Sequence, residues 1–336
     1  MSESKKQTAL VPVQSAALTK PEVKSLIARG RTDLRIREEA EEWLKRGLEF
    51  LRQAQIQDMC DDAESFYEDE PPCDPSFSAN PNDRRKCAFT CFERGINLDP
   101  NHAELQFWLG NLYTNGQGVP QDYVLAASWW RKAAEQGFTK AQHNLGCAYE
   151  FGQGVERDHT QAAIWWNKAA EQGYAYAQND LGYAYERGWG VPQNGEQAAF
   201  WYRKAAEQGL PEGQFHIGIF YSCGDVVELD QAQAAQWYRK AAEQGYAPAQ
   251  FNLGVCYRDG KGVLEDQAQA EIWYRKAAEQ GNESAQMALE ALKAMRERGP
   301  QTFLSERQYP ALSKDERDAS IQAFKETMQD LQMKGE

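Results

Sequence analysis

A repeat of 36 residues is the feature that most constrains what this chain can fold into. The pair Leu-Gly, once Ile-Gly, recurs at this constant spacing, at Leu109-Gly110, Leu145-Gly146, Leu181-Gly182, Ile217-Gly218 and Leu253-Gly254. The neighbouring letters repeat with it across residues 103–281. A period of this length is typical of arrays in which each repeat is one supersecondary unit that buries its apolar face against the next.

Each repeat predicts two helices joined by a sharp turn. In the second copy, the apolar positions fall on one face of a first helix at Ala141, Leu145, Ala148 and Tyr149. The glycines Gly152 and Gly154 follow and predict the turn, because glycine tolerates a positive φ. Asp158 is then expected to cap a second helix that ends at Gly173. The predicted fold class is therefore all-α.

Glycine and tryptophan positions predict how these helices pack. Gly146 and its counterparts lie inside the first helix, where glycine is unfavourable by about 1 kcal/mol relative to alanine, so we expect a neighbouring helix to approach closely there. Aromatic residues recur at helical spacing, and we expect eight tryptophans to form the core: Trp108, Trp129, Trp130, Trp165, Trp166, Trp201, Trp237 and Trp273.

Two blocks of letters make the repeat resemble a known family. The blocks L-G-x-x-Y-x-x-G-x-G-V and A-x-x-W-[WY]-x-K-A-A-E-Q-G are similar to those of the Sel-one-like repeat (SLR) family, a relative of the tetratricopeptide repeat. The resemblance implies a right-handed α-solenoid of antiparallel helix pairs and an adaptor that assembles other proteins. The fourth copy departs from the pattern, because Val226 stands where the second turn glycine is expected.

The two ends of the chain differ from the repeats. We expect residues 1–20 to be flexible, and residues 21–102 to form a divergent tetratricopeptide-like helical pair interrupted by an acidic loop over 58–83. Residues 282–298 are expected to cap the array, and 299–336 to form a linker and a final amphipathic helix. The acidic loop is either a solvated segment or a contact for a basic partner. The last helix either folds back on the array or offers its apolar stripe to a partner or to a second copy of the chain.

Composition narrows the functional classes further. Charged residues make up 26% of the chain, the mean hydropathy is -0.75, and no run approaches the roughly 18 apolar residues of a membrane span. The 37 Lys and Arg residues against 50 Asp and Glu residues disfavour nucleic-acid binding, which needs a cationic face. The seven cysteines are too few for a disulfide scaffold, and the N-terminus lacks a signal-like apolar core. We therefore expect a cytoplasmic protein.

No residue pattern predicts catalysis, a metal or a cofactor. Cys60, Cys73, Cys87 and Cys91 are close in sequence but lack a C-x2-C pair, so we interpret them as ordinary thiols rather than a zinc site. On one first helix, His143, Cys147 and Glu150 form a nominal catalytic set. Three polar residues on a solenoid helix are not by themselves an active site, and we predict that the chain is not an enzyme.

The residues that vary between repeats on the first helix are the expected binding site. In related repeats such residues line a concave groove, and transferring this by position predicts that a peptide or helix of another protein contacts Phe107, Asn111, His143, Glu150, Asn179, Tyr183, Glu186, Phe215, Ile219, Phe251, Val255 and Arg258. The alternative for the aromatic members is packing against adjacent helices.

The sequence thus predicts a non-enzymatic interaction scaffold or adaptor. An effector or a toxin-neutralising protein built on the same array is the alternative within binding proteins. A hydrolase of amide bonds is the alternative from another class, and the residues support it least.

Overall fold

The computed structural model describes residues 20–62 and 81–298, and the regular structure in these ranges is entirely helical. The predicted flexible segment 1–20, except for Lys20, and the predicted linker and last helix over 299–336 lie outside the described residues. The N-terminal pair consists of α1 (Lys20–Asp62) and α2 (Pro81–Leu98). The predicted acidic loop 58–83 is therefore helical over 58–62 and 81–83, and 63–80 lies outside the description.

The repeats form five helical hairpins. Their first helices are α3 (Ala103–Asn115), α5 (Thr139–Phe151), α7 (Ala175–Arg187), α9 (Pro211–Cys223) and α11 (Ala247–Asp259). Their second helices are α4 (Tyr123–Glu135), α6 (His159–Glu171), α8 (Gly195–Glu207), α10 (Gln231–Glu243) and α12 (Gln267–Glu279). Each helix contacts its neighbours in the chain, so the array is an α-solenoid of helix pairs.

The ends of these helices follow the predicted signals. Asp158 accepts hydrogen bonds from the backbone N–H groups of Thr160 and Gln161 at 2.9 and 3.0 Å, which satisfies donors that the helix itself cannot. The same cap is made at the other second helices by Asp122, Asn194, Asp230 and Asp266. The first helices end at glycines in the left-handed region, such as Gly152. The predicted turn and caps are confirmed.

The glycine inside each first helix is a packing glycine, as predicted. A Cβ atom built on Gly146 would lie 2.5 Å from Cδ1 of Trp166, and one on Gly182 would lie 2.8 Å from Cδ1 of Tyr202. The second residue of the Trp-Trp or Trp-Tyr pair in each second helix therefore rests directly on the backbone of the first helix. The loss of helix propensity at this glycine is offset by the aromatic surface that it buries.

The prediction of eight core tryptophans is wrong for most of them. Trp130 and Trp166 are buried, at 6% and 4% exposure. The preceding tryptophan of each second helix is only half-buried. In four of the five repeats a lysine lies over its ring, with the Lys168 ammonium 3.8 Å from the ring centre of Trp165. In the last three repeats a tyrosine takes the buried position, at Tyr202, Tyr238 and Tyr274.

A ladder of buried glutamines, which the sequence analysis missed, connects consecutive repeats. The Gln178 side chain is 4% exposed, and its amide donates to the Ala170 carbonyl of the preceding second helix at 3.1 Å. Its carbonyl oxygen accepts from Gln208 Nε2 at 2.7 Å, at the end of its own second helix. The same glutamine pair recurs as Gln106–Gln136, Gln142–Gln172, Gln214–Gln244 and Gln250–Gln280.

Both ends of the array are covered by helices. At the N-terminal end, Phe92 of α2 packs on Gly47 of α1, and Leu105 of α3 packs on Gly95 of α2. At the other end, α13 (Glu283–Arg298) packs Ala285, with Leu289 and its neighbours, on Tyr274 and Ala277 of α12. Met287 of the same helix is 63% exposed.

Val226 replaces the second turn glycine in the fourth repeat, and a glycine in the third repeat, Gly195, compensates for this replacement. A Cβ atom on Gly154 would collide with the backbone oxygen of Tyr123, the first residue of the preceding second helix. In the fourth repeat Val226 occupies the position of Gly154, and the first residue of the preceding second helix is Gly195. The valine side chain fills the space that a side chain at Gly195 would take, because a Cβ there would lie 2.6 Å from Val226 Cγ2.

We expect Gly195→Ala to destabilise the protein by about 1–2 kcal/mol, because it overpacks this contact. In a Val226→Gly background the same change is expected to cost much less, which corresponds to a coupling of about 1 kcal/mol. Urea denaturation of the two single variants and the double variant measures this coupling. Additive effects would contradict the proposed compensation.

Candidate functional site

Fourteen half-buried side chains define a first-helix surface. These residues lie on the first helices of the repeats and are neither fully buried nor fully exposed: Asn111, Thr114, His143, Asn144, Cys147, Asn179, Asp180, Glu186, Ile219, Ser222, Phe251, Asn252, Val255 and Arg258. Some of them connect neighbouring first helices. For example, Asn144 Nδ2 of α5 donates to Asn111 Oδ1 of α3 at 3.2 Å. The surface therefore continues from one repeat to the next.

Four of the predicted groove residues are buried and leave little surface for a ligand. Phe107 and Phe215 are 6% and 8% exposed, because they pack against Phe138 and Tyr246, the N-cap residues of the following first helices, at ring distances of 5.2 and 5.4 Å. Tyr183 is 4% exposed. The expectation of exposed aromatic residues spaced by one repeat is therefore wrong at these positions, and the packing alternative holds.

Glu150 is also buried, for a different reason. Its carboxylate is bonded to His159 Nδ1 at 2.7 Å and faces Arg157 at 4.0 Å, so it joins the end of α5 to the start of α6. The eight other predicted residues keep partial exposure: Asn111, His143, Asn179, Glu186, Ile219, Phe251, Val255 and Arg258.

One row of this surface was missed in the sequence analysis. The residues two positions before the packing glycine include Asn144, Asp180, His216 and Asn252, and they face the preceding repeat. Their change of polar type from repeat to repeat was the available signal. The packing aromatics also reach this surface, since the Tyr202 hydroxyl donates to Glu186 Oε2 at 2.7 Å. Burial and the Glu186 carboxylate together raise the pKa of Tyr202 well above its ordinary value.

His143, Cys147 and Asp180 converge between the second and third repeats. His143 Nε2 lies 3.0 Å from Asp180 Oδ2 and 3.7 Å from Cys147 Sγ. Burial disfavours the charged imidazole, but Cys147 and the hydrogen bond with Asp180 outweigh it, so the pKa of His143 lies well above its ordinary value. The rings of Tyr174 and Tyr176 cover the imidazole at 5.2 and 6.3 Å.

This cluster does not have the geometry of a catalytic triad. In a triad the imidazole contacts the nucleophile through one ring nitrogen and the orienting carboxylate through the other. Here Nε2 of His143 faces both the Cys147 sulfur and the Asp180 carboxylate. The set proposed from sequence also changes, because Glu150 contacts His159 instead and Asp180 of the next repeat takes its place.

Two of the four clustered cysteines, Cys87 and Cys91, lie on α2. Cys87 is half-buried and Cys91 is buried on α2, and both are free thiols. Burial raises the pKa of the Cys91 thiol, and the neighbouring Cys87 adds to this effect. The side chains of Cys60 and Cys73 lie outside the described residues.

Glu212, in the first turn of α9, carries a carboxylate in an unfavourable, partly buried environment. Its Oε2 atom is buried without a hydrogen-bond partner. Burial raises the pKa of Glu212, and the nearby Asp180 carboxylate adds to the effect. Because this pKa is higher in the folded chain than in the unfolded chain, the charged form disfavours folding. The resulting penalty is absent below the unfolded pKa, grows as the pH rises from the unfolded to the folded pKa, and is constant above the folded pKa.

Replacing Glu212 by glutamine is therefore expected to stabilise the protein near pH 7. We expect the Tm to rise by roughly 1–3 °C, with the gain disappearing at about pH 3, where the carboxyl group is neutral in both states. Thermal unfolding at the two pH values tests this. Glu207→Gln, at an exposed position, is the control, and an equal gain in that variant would contradict the burial argument.

None of the helices in the described ranges is both long enough and apolar enough to cross a lipid bilayer. This finding agrees with the composition.

The helix pairs and their 36-residue period define the chain as an α-solenoid repeat protein. The family model described as Sel1 repeat matches it five times, at residues 103–138, 139–174, 175–210, 211–246 and 247–282. These matches cover more than half of the chain, which therefore belongs to the Sel1 repeat family. No curated protein matches the chain significantly.

Two solved structures resemble the chain over most of its length. The first is c5321, a protective antigen of uropathogenic Escherichia coli with an SLR fold, at 33% identity and a TM-score of 0.61, covering 81% of this chain. This chain spans only 51% of that protein. The second is a Sel1 repeat protein from Oxalobacter formigenes, at 34% identity and a TM-score of 0.57, covering 68% of this chain and 90% of the other.

Proposed function

We propose that this protein is a non-enzymatic interaction scaffold that binds a segment of another protein along the first-helix surface. The observation that carries the proposal is the contrast between two sets of positions. The packing residues repeat in every copy, whereas residues on the first-helix surface differ from repeat to repeat, as Asn111, Cys147, Ile219 and Val255 illustrate. A surface that varies within a constant frame can recognise an irregular ligand such as a peptide or helix.

The burial of Phe107 and Phe215 changes which residues we assign to the ligand. The accessible apolar residues are Ile219, Phe251 and Val255 in the last repeats, beside the polar groups Asn111, Asn179, Glu186 and Arg258 in the array. We assign apolar contacts of the ligand to the last repeats and hydrogen bonds to the earlier ones. We place this interaction in the cytoplasm.

The test compares two pairs of variants with matched chemistry. Ile219→Arg with Val255→Arg places two cations on the first-helix surface. Ile164→Arg with Phe200→Arg places two cations on second helices, where these side chains are 42% and 48% exposed. Each pair is used to capture partners from lysate, and a captured partner is then purified and its Kd measured.

We expect the first pair to weaken binding at least tenfold and the second to leave it within twofold. Circular dichroism of each variant checks that the helices remain folded. Loss of binding with the second pair alone would place the ligand on the second helices and contradict the proposal.

The effector or toxin-neutralising alternative uses the same surface and differs in the partner. Adding the chain to the purified partner and measuring that partner's own activity distinguishes the two, because a neutralising protein inhibits and an adaptor does not. Hydrolysis of amide bonds is supported least, because His143 directs one nitrogen at both of its neighbours. Turnover of a chromogenic amide that is lost in His143→Gln would contradict the non-enzymatic assignment.

A further inference from the structure

The cluster of His143, Cys147 and Asp180 contains three different metal-ligating side chains. His143 and Cys147 are one turn apart on α5, and Asp180 comes from α7 of the next repeat. Their ligand atoms all lie within 4.8 Å of one another, which no other set of three His, Cys, Asp or Glu side chains achieves in the part of the chain that the structure describes. The fold thus brings Asp180 of the next repeat to a pair of neighbouring residues on α5.

The distances fit the edges of a small coordination tetrahedron. With Zn–N and Zn–O distances of about 2.0 Å and a Zn–S distance of about 2.3 Å, tetrahedral angles separate N from S by about 3.5 Å and N from O by about 3.3 Å. The observed distances from His143 Nε2 are 3.7 Å to Cys147 Sγ and 3.0 Å to Asp180 Oδ2. The shared Nε2 atom, which argues against a triad, is what a common metal ion requires.

The surroundings support a site that an ion can enter. The side chains of His143 and Asp180 are 12% and 28% exposed, so the cluster is reachable from solvent. Asn179 Nδ2 lies 3.5 Å from Asp180 Oδ1, the carboxylate oxygen that does not face His143. Such an outer contact orients a ligating carboxylate. The rings of Tyr174 and Tyr176 lie against the imidazole and shield part of it from solvent.

The cluster is specific to one junction between repeats. The equivalent positions are Phe107, Asn111 and Asn144 at the preceding junction, and Phe215, Ile219 and Asn252 at a later one. Repetition of the frame alone therefore does not produce this set. A thiolate in the set favours a borderline transition cation over Mg²⁺ or Ca²⁺, which prefer oxygen ligands.

We infer that His143, Cys147 and Asp180 form a three-ligand site for Zn²⁺ or a cation of similar chemistry. The fourth coordination position is left to solvent or to a side chain of a ligand on the first-helix surface. An ion bound here joins α5 to α7 and so stiffens the junction between the second and third repeats. This site goes beyond the proposed scaffold function and does not depend on it.

Titration of the reduced, tag-free full chain with Co²⁺ tests the site. We expect one ion per chain, d–d absorption typical of tetrahedral Co²⁺, and a thiolate charge-transfer band in the near ultraviolet. Competition by Zn²⁺ is expected to abolish the signal and to raise the Tm, since the ion binds the folded state. Absence of the charge-transfer band in the unmodified chain would overturn the inference without any variant.

Variants locate the site. Cys147→Ser is expected to abolish the charge-transfer band, and Asp180→Asn and His143→Gln are each expected to weaken Co²⁺ binding at least tenfold. Cys223→Ser, on another first helix, and the double change Cys87→Ser with Cys91→Ser are the thiol controls and are expected to retain the band. A band that survives Cys147→Ser, or that disappears in the double cysteine control, would place the metal elsewhere and overturn the assignment.

Discussion

Replacement of Gly154 by alanine is expected to destabilise this protein by about 3–5 kcal/mol. Two costs combine at this turn. The φ angle of Gly154 is +70°, a conformation that costs an L-residue about 1–2 kcal/mol. A Cβ atom would also collide with the backbone oxygen of Tyr123 in the preceding repeat, and backbone cannot move aside as a flexible side chain can. The two repeats would have to separate.

Gly173→Ala is the matched control for this prediction. Gly173 has a φ angle of +89°, but a Cβ atom there would meet nothing within 4 Å. We therefore expect only the conformational cost of about 1–2 kcal/mol. Urea denaturation followed by circular dichroism compares the two variants, and hydrogen exchange shows whether the loss is centred on the first two repeats. Equal effects of the two substitutions would mean that close contact between repeats contributes nothing.

The second large effect is expected at the buried glutamine ladder. Gln178→Leu removes the donor to the Ala170 carbonyl and the acceptor for Gln208 at once. Because Gln178 is buried, water cannot replace its amide at the carbonyl, and we expect a loss of about 2–4 kcal/mol. The loss arises between repeats, since Ala170 ends one hairpin and Gln178 begins the next.

Gln208→Leu removes the same hydrogen bond between the Gln178 and Gln208 side chains, but at the exposed residue of the pair. Water can reach the vacated position there, so the expected loss is only about 0.5–1.5 kcal/mol. Thermal and urea unfolding of both variants give the comparison. A cost at Gln208 equal to that at Gln178 would show that the bond between side chains, rather than the buried carbonyl, carries the stability.

Most of the fold could be predicted because the signals are local. The spacing of Ala141, Leu145 and Ala148 defines a helix face, and Asp158 and Gly152 mark where helices begin and end. The packing role of Gly146 could also be predicted, since an unfavourable glycine at a fixed place in every copy needs a reason. The half-burial of Trp165 could not be predicted, because the sequence does not distinguish it from the adjacent Trp166. Only the packing of the neighbouring helix shows which of the two is buried.

The candidate site was less predictable, because its residues meet across repeats. Phe107 and Phe215 are aromatic at variable positions, which suggested a ligand. They are buried because each packs against an aromatic residue at the end of its own repeat, Phe138 or Tyr246, which caps the next first helix. The partner of His143 is Asp180, 37 positions away, rather than the nearer Glu150. Sequence spacing within one helix identifies neighbours at positions i and i+4, but it cannot identify a residue on the adjacent first helix.

The 36-residue period by itself determined the helical hairpins, their caps, their turns and their close-packed glycines, since these depend on backbone conformation and on neighbours within one repeat. Only the tertiary structure decided which side chains are accessible and which meet between repeats. These contacts include the glutamine ladder, the packing of Val226 against Gly195, and the convergence of His143, Cys147 and Asp180. The physical reason is that burial and contact between hairpins depend on how neighbouring helices stack. The order of residues within one helix does not specify that geometry.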